Sequence, residues 1–219
     1  MVINMNDAVI ALYEKKDGEY SFIGSGFFVT STLLSTAWHV VREGGKFLFL
    51  NGEWVELKVV AHAYHRSANG FGPESNDLAI YQLATGLTAE AWLSIAPAVP
   101  SAQARCHILG FLPKGKQTDV VALQRLECLM GYEGSKSPME ANNLVFLHGQ
   151  AASLNSGNLK GMSGGPIVNG AEEVVGMFIS GDYKREPRNP PPNYRPAVDF
   201  DLTAVSGLHI ANVIRELAQ

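Results

Sequence analysis

"LKGMSGGPIV" (residues 159–168) sets a single serine, Ser163, among Gly161, Gly164, Gly165 and Pro166, with strand-forming residues after it. Two readings compete. Glycine and proline are the usual residues of a tight turn between strands. The same pattern also suits a turn whose backbone amides face a reacting atom beside a nucleophilic serine. The stretch alone does not separate them. A base and an orienting carboxylate elsewhere in the chain would.

Around this stretch, short apolar and β-branched runs recur between Gly, Asn, Asp and Pro. Residues 8–13, 24–30, 46–50, 54–63 and 78–83 read as one set of strands, and 105–111, 118–130, 143–151, 165–170 and 173–180 as a second. "IVNGAEEVV" (167–175) reads as a hairpin, with Asn169-Gly170 supplying a positive-φ turn. Two strand sets with few helices between them argue for antiparallel all-β architecture rather than alternating βαβ units. The join falls in 85–104, richer in Ala, Pro and Ser. The expected division is therefore 1–95, 96–205 and a C-terminal helix over 206–219, with Leu208, Ile210, Val213, Ile214 and Leu217 on one stripe. Residues 183–196 hold five prolines among basic residues and read as an extended loop, either a lid or docking site at a cleft rim or a plain surface insertion.

Bulk properties narrow the function classes. The 219 residues are 46% apolar and 17% charged, enough for a sizeable core. The net charge of −4, with Lys and Arg scattered, leaves no footprint for nucleic acid. No apolar run has the length to span a bilayer, and the first residues do not read as a secretory leader. Cys106 and Cys128 have the spacing of neither a zinc site nor a disulfide framework, so they are expected to pack as small hydrophobes in a reducing cytoplasm.

Six histidines are candidate bases. His39 lies in "LLSTAWHVV" (33–41), in a small-residue turn after a strand. His62 and His65 read as solvent-facing, His107 and His148 as strand residues, and His209 as part of the terminal helix. Among carboxylates, Asp77 heads "NDLAIYQL" (76–83). Each element alone is weak, since a lone histidine is usually structural and an Asp before a strand is usually a turn residue.

Together, four separated motifs resemble the trypsin/chymotrypsin-like serine proteases in family order. "GSGFFVTSTLLSTAWHVV" (24–41) is similar to the strand pair leading to Thr-Ala-x-His, with Trp38 at the variable position. "NDLAIYQL" is similar to the Asn-Asp-(Ile/Leu)-Ala segment. "HILGFLPKG" (107–115) is similar to Leu-Gly-(Phe/Tyr)-Pro-x-Gly, with Leu112 inserted before Pro113, and "GMSGGPIV" matches Gly-x-Ser-Gly-Gly-Pro. The resemblance implies two six-stranded antiparallel β-barrels with the active site between them. His39 would be general base and acid, Asp77 would hold its tautomer, and Ser163 would attack. The amides of Gly161 and Ser163 would form the oxyanion hole. No cofactor or metal is implied, and the substrate would be a polypeptide.

Departures matter. Met162 stands where digestive members carry the Asp that pairs with a new N-terminus, so that activation is excluded. The pattern is closer to bacterial heat-shock-type members, the expectation being one without an appended peptide-binding domain, and it leaves room for latency until a protein partner reshapes the oxyanion loop. By correspondence the specificity pocket would draw on Gly157, Asn158, Ile179, Ser180 and Gly181. Gly157 replaces the Asp that selects Lys or Arg, and Asp199 is the candidate for an acidic pocket from a neighbouring segment, with Asp182 and Asp201 nearby in sequence. Two other readings stay open. "GMSGG" also fits Gly-x-Ser-x-Gly, and with Asp199 or Asp201 and then His209 it gives the order of an α/β-hydrolase esterase. An inactive protease fold used as an interaction module is the other.

Overall fold

The computed structural model of the chain describes residues 5–65, 75–113, 121–133, 143–148, 159–182 and 200–219. The first half runs β1 (Val9–Lys16), β2 (Glu19–Phe28), β3 (Leu33–Thr36), α1 (Trp38–Arg42), β4 (Phe47–Leu50), β5 (Glu53–Glu56), β6 (Lys58–His65) and β7 (Ser75–Gln82). Two of its hairpins carry the dipeptides that type I′ turns demand. Asp17-Gly18 joins β1 to β2 and Asn51-Gly52 joins β4 to β5, with all four residues at positive φ.

These strands form one antiparallel sheet in the order β5-β4-β1-β2-β3-β7-β6. The expected six-stranded ring is therefore seven strands whose hydrogen bonding stays open at its two edges. The edges are consecutive in the chain, separated only by Leu57, whose buried side chain and N–H bond to the Lys46 carbonyl make a corner. Taken as one bent strand, β5–β6 closes a ring of six. A pattern of alternating apolar residues across 54–63 carries no mark of that corner.

The second half runs β8 (Arg105–Pro113), β9 (Val121–Glu133), β10 (Asn143–His148), β11 (Pro166–Val168), β12 (Val174–Asp182) and β13 (Phe200–Ser206), followed by α2 (Gly207–Leu217). Its six strands close a hydrogen-bonded barrel in the order β10-β13-β12-β11-β8-β9. The chain is thus all-β, two barrels with a C-terminal helix. Cys106 and Cys128 are buried free thiols opposite one another on β8 and β9. Burial pushes both thiols up, Cys106 to about 11, which suits packing rather than nucleophilic use.

Two local expectations need correction. The β11–β12 hairpin forms, but its left-handed residue is Glu172, and Gly170 is not at positive φ. The Asn169 side chain accepts from the N–H groups of Ala171 and Glu173, which lengthens the loop and moves the strained corner to Glu172. On α2, Ile210 is fully buried with Val213 and Ile214 packed beside it, whereas Leu208 and Leu217 are exposed. The helix turns those two away because one face alone meets β12 and β13.

The apolar core crosses between the halves. Leu12, Phe27, Phe28 and Leu34 from the first pack in one cluster with Leu109, Met177, Ile179 and Val205 from the second. The connecting stretch 83–104 is tied to both, since the Leu93 N–H donates to the Phe28 carbonyl, the Ala96 N–H to the Val174 carbonyl and the Val174 N–H to the Ser94 carbonyl, beside the parallel Ile95–Val174 bridge.

His209 on α2 has a buried Nε2 with no hydrogen-bond partner among the described residues. Burial holds its pKa below the usual 6.5, only partly offset by Glu216. The unfolded chain therefore takes up the proton first. Stability is complete above about pH 6.5 and falls as pH drops toward the lower folded value. The melting temperature of His209→Leu should fall less than that of the wild type between about pH 7.5 and pH 5. Parallel loss in both would rule this group out as a source of acid sensitivity.

Candidate active site

β3 pairs with β7, with Thr36 opposite Ala79. The chain leaves β3 at Thr36, passes Ala37 in extended conformation and turns into α1. The segment expected to be a small-residue turn is therefore a short helix, and it returns His39 to the neighbouring strand. The His39 backbone N–H donates to Asp77 Oδ1 at 2.9 Å, and its ring Nδ1 lies 2.5 Å from Oδ2. Asp77 is fully buried while the His39 side chain keeps 27% of its surface exposed. A carboxylate is an acceptor only, so this geometry sets the proton on Nδ1 and leaves Nε2 as the basic nitrogen.

On the other side, Leu159 to Met162 form a turn closed by the Met162 N–H on the Leu159 carbonyl at 3.0 Å. Gly161, the third residue, has φ +109° and Lys160 is not at positive φ, the signature of a type II turn. The next N–H groups are also accounted for. Gly164 donates to the Phe178 carbonyl and Gly165 to that of Met162. Between Gly161 and Gly165, the N–H groups of Gly161 and Ser163 alone have no acceptor among the described residues. Buried N–H groups are seldom left so, and these two stand either side of Met162 in the turn that carries the half-buried serine. The Ser163 hydroxyl itself donates to the Ile179 carbonyl at 3.0 Å.

The glycines answer to space as well as to φ. A methyl on Gly161 would sit 2.5 Å from the Phe22 ring, one on Gly164 would collide with the Ser25 carbonyl and Thr36 hydroxyl, and one on Gly165 with the Leu109 carbonyl. The serine turn thus lies directly on β2, on β8 and on the Thr36–Ala37 segment that leads into His39.

Ser25, which the motif reading did not single out, ties the two halves together. Its N–H donates to the Ser163 carbonyl at 2.9 Å, its Oγ donates to the Gly161 carbonyl at 2.8 Å, and the same Oγ accepts from the Phe111 N–H at 2.8 Å. Its own carbonyl accepts from the Thr36 hydroxyl at 2.7 Å. The available signal was a small polar residue between glycines in "GSG", where nothing polar is needed for a strand to face a core. The ring of Trp38, at the variable position of the motif, stacks on that of His62 at 4.2 Å.

Of the pocket residues, Ile179 is buried, Ser180 is half-buried and Gly181 follows on β12 opposite Leu202. Asp182 is the register partner of Asp201. Gly157, Asn158, Asp199 and the proline-rich 183–196 lie outside the described residues. The serine turn runs into strand β11, whereas the esterase reading needs a helix there. Among the described residues no group of three or more His, Cys, Asp or Glu is placed to hold a metal ion.

Comparison with known proteins decides the family. Residues 24–177 match the trypsin-like peptidase domain. The chain belongs to the trypsin-like peptidases. Solved structures share the fold at low identity. The serine endoprotease from Yersinia pestis superposes with TM-score 0.59 at 19% identity over 97% of this chain, which spans 63% of that protein's chain. The MamO protease domain from Magnetospirillum magneticum gives 0.59 at 15% identity, covering 95% of this chain and 96% of that one. The active form of the Rv3671c protease from M. tuberculosis gives 0.57 at 16% identity, covering 95% and 79%. Among curated proteins none matches the sequence.

Ser25→Ala keeps the Cβ but strands the Gly161 carbonyl and the Phe111 N–H. It should cost about 2 kcal/mol in urea unfolding, the penalty of leaving buried partners unpaired. Gly164→Ala should cost more, on the order of 3 kcal/mol, because backbone rather than a flexible side chain occupies the space. Near-zero losses would mean the two halves separate there without penalty.

Proposed function

We propose that this trypsin-like peptidase is a serine endopeptidase acting through an acyl-enzyme. Ser163 Oγ attacks the scissile carbonyl while its proton passes to His39 Nε2. Asp77 holds the imidazole in the tautomer that can accept it and stabilises the imidazolium formed. The carbonyl oxygen, now an oxyanion, receives the N–H groups of Gly161 and Ser163, and His39 returns the proton to the leaving amine. Water then repeats the sequence and releases the acid. Before attack, the Ser163 O–H must turn from Ile179 to the imidazole.

The observation that supports this reading is that the N–H groups of Gly161 and Ser163 have no acceptor among the described residues, while those of Met162, Gly164 and Gly165 are bonded. Donors fixed before the charge develops need no reorganisation, and one of them is typically worth about 3 kcal/mol in the transition state. The same observation bears on latency. A site waiting for a partner to reshape the oxyanion turn would hold Gly161 in another conformation. Its type II geometry supports a chain competent as it stands.

Labelling with a fluorophosphonate probe tests the reading. Wild type should label, and Ser163→Ala and His39→Ala should not. Asp77→Asn should lower peptide turnover by about 10⁴, the cost of the wrong tautomer in the Ser-His-Asp template. His209→Ala should label like wild type. Loss of labelling in His209→Ala with retention in His39→Ala would overturn the assignment in favour of the esterase order.

A further inference from the structure

The first barrel carries aromatic rings on the face of the sheet opposite its core. Leu12 and Leu48 point inward and are fully buried. On the other face, Phe47, Tyr13 and Phe22 form one cross-strand row, since Tyr13 is the register partner of both others. Phe49 and Trp54 are partners across β4 and β5, and the curl of the sheet lays Trp54 flat on Tyr20 of β2, with centroids 3.6 Å apart and planes 3° apart. Phe49 is 57% exposed and Trp54 38%. Large apolar side chains scattered singly over a surface need no explanation, but a contiguous set does.

This set is continuous with the candidate active site. Phe22 packs over Gly161, two residues before Ser163. From Phe22 the centroids step 5.9 Å to Tyr13, 5.0 Å to Trp54 and 5.3 Å to Phe49. We infer that these rings are an extended binding surface for the polypeptide substrate itself, on the leaving-group side of the scissile bond, and that it selects an aromatic side chain about five residues beyond that bond. The inference rests on the peptidase reading above. The occupant follows from continuity, since a substrate chain reacting at Ser163 must continue past Gly161 and meets Phe22 first. An extended chain advances about 3.3 Å per residue, so roughly five residues follow the ring path to its exposed end. The side follows from β12. The Ser163 hydroxyl rests on Ile179, and the family resemblance gives Ile179–Gly181 to the acyl side, which leaves the rings to the departing segment. Tyr and Trp faces suit this task because they offer wide contact area at low entropic cost and favour ring partners in offset or edge arrangements.

The test uses the full chain and internally quenched peptides sharing one cleavable core. One is short, one carries five further residues ending in Trp on the leaving-group side, and one carries the same extension on the acyl side. Wild type should cleave the leaving-side peptide with kcat/KM about tenfold above the short one, the gain of one or two ring contacts. In Trp54→Ala and Tyr20→Ala that ratio should fall to near one. Trp92→Ala, an exposed tryptophan outside the face, should keep the wild-type ratio. Phe49→Ala supplies the same measurement should a Trp54 change unfold the sheet. A wild-type ratio near one in a chain that labels with fluorophosphonate overturns this inference alone. An advantage only for the acyl-side extension, or one that survives the ring substitutions, does the same. A folded wild type that neither labels nor cleaves removes the peptidase reading and this inference with it.

Discussion

The contact on which the site depends is backbone against backbone. Gly164 lies on the Ser25 carbonyl and the Thr36 hydroxyl, and Gly165 on the Leu109 carbonyl, in space that admits no Cβ. Because β2 runs through Ser25 and β3 ends at Thr36, this approach fixes the serine turn relative to the strand that delivers His39. The two barrels therefore do not merely share an apolar surface. They are indexed to one another at the serine turn, where the proposed proton transfer would need ångström precision.

Such an approach brings polar groups out of water, and the chain settles each of them. Ser25 Oγ serves one donor and one acceptor, Thr36 donates to Ser25, and Asp77 takes two bonds from His39. Each of these three residues is fully buried. In a low-dielectric seam a satisfied polar group rigidifies while an orphan costs 1–3 kcal/mol, so the network enforces one arrangement by penalising others. Among the described residues, the N–H groups of Gly161 and Ser163 break that rule. Their unpaired state is tolerable because the bonds on either side hold the turn in place, and it suits a site whose acceptor arrives with the substrate.

Much of this was legible in the residues, for identifiable reasons. Strand alternation marks the sheet faces, Thr-Ala-x-His and Asn-Asp-Leu-Ala name the two side chains that meet as His39 and Asp77, and Gly-x-Ser-Gly-Gly-Pro names the turn that carries Ser163. What escaped depends on information that periodicity does not hold. The corner at Leu57 is a change of partner strand, invisible to a period-two pattern that continues through it. The left-handed residue of the β11–β12 hairpin moved to Glu172 because the Asn169 side chain competes for amides, an effect of one rotamer. Ser25 read as an unremarkable small residue because its four partners lie 11 to 138 positions away.

The aromatic face follows from the same geometry. In a barrel, alternation sends every second side chain outward, and that set is free of the demands of the core. Replacing Phe47, Phe49 or Trp54 by polar residues would leave Leu48 and Val55 on the inner face undisturbed, so packing of this barrel gives no reason for rings there. Their stacking on one another removes some apolar surface from water, yet it leaves Phe49 and Trp54 among the exposed large hydrophobics of the described residues. An exposed cluster of that kind works against solubility, and in a chain whose turn glycine touches its inner end, contact with substrate is the economical reason for it.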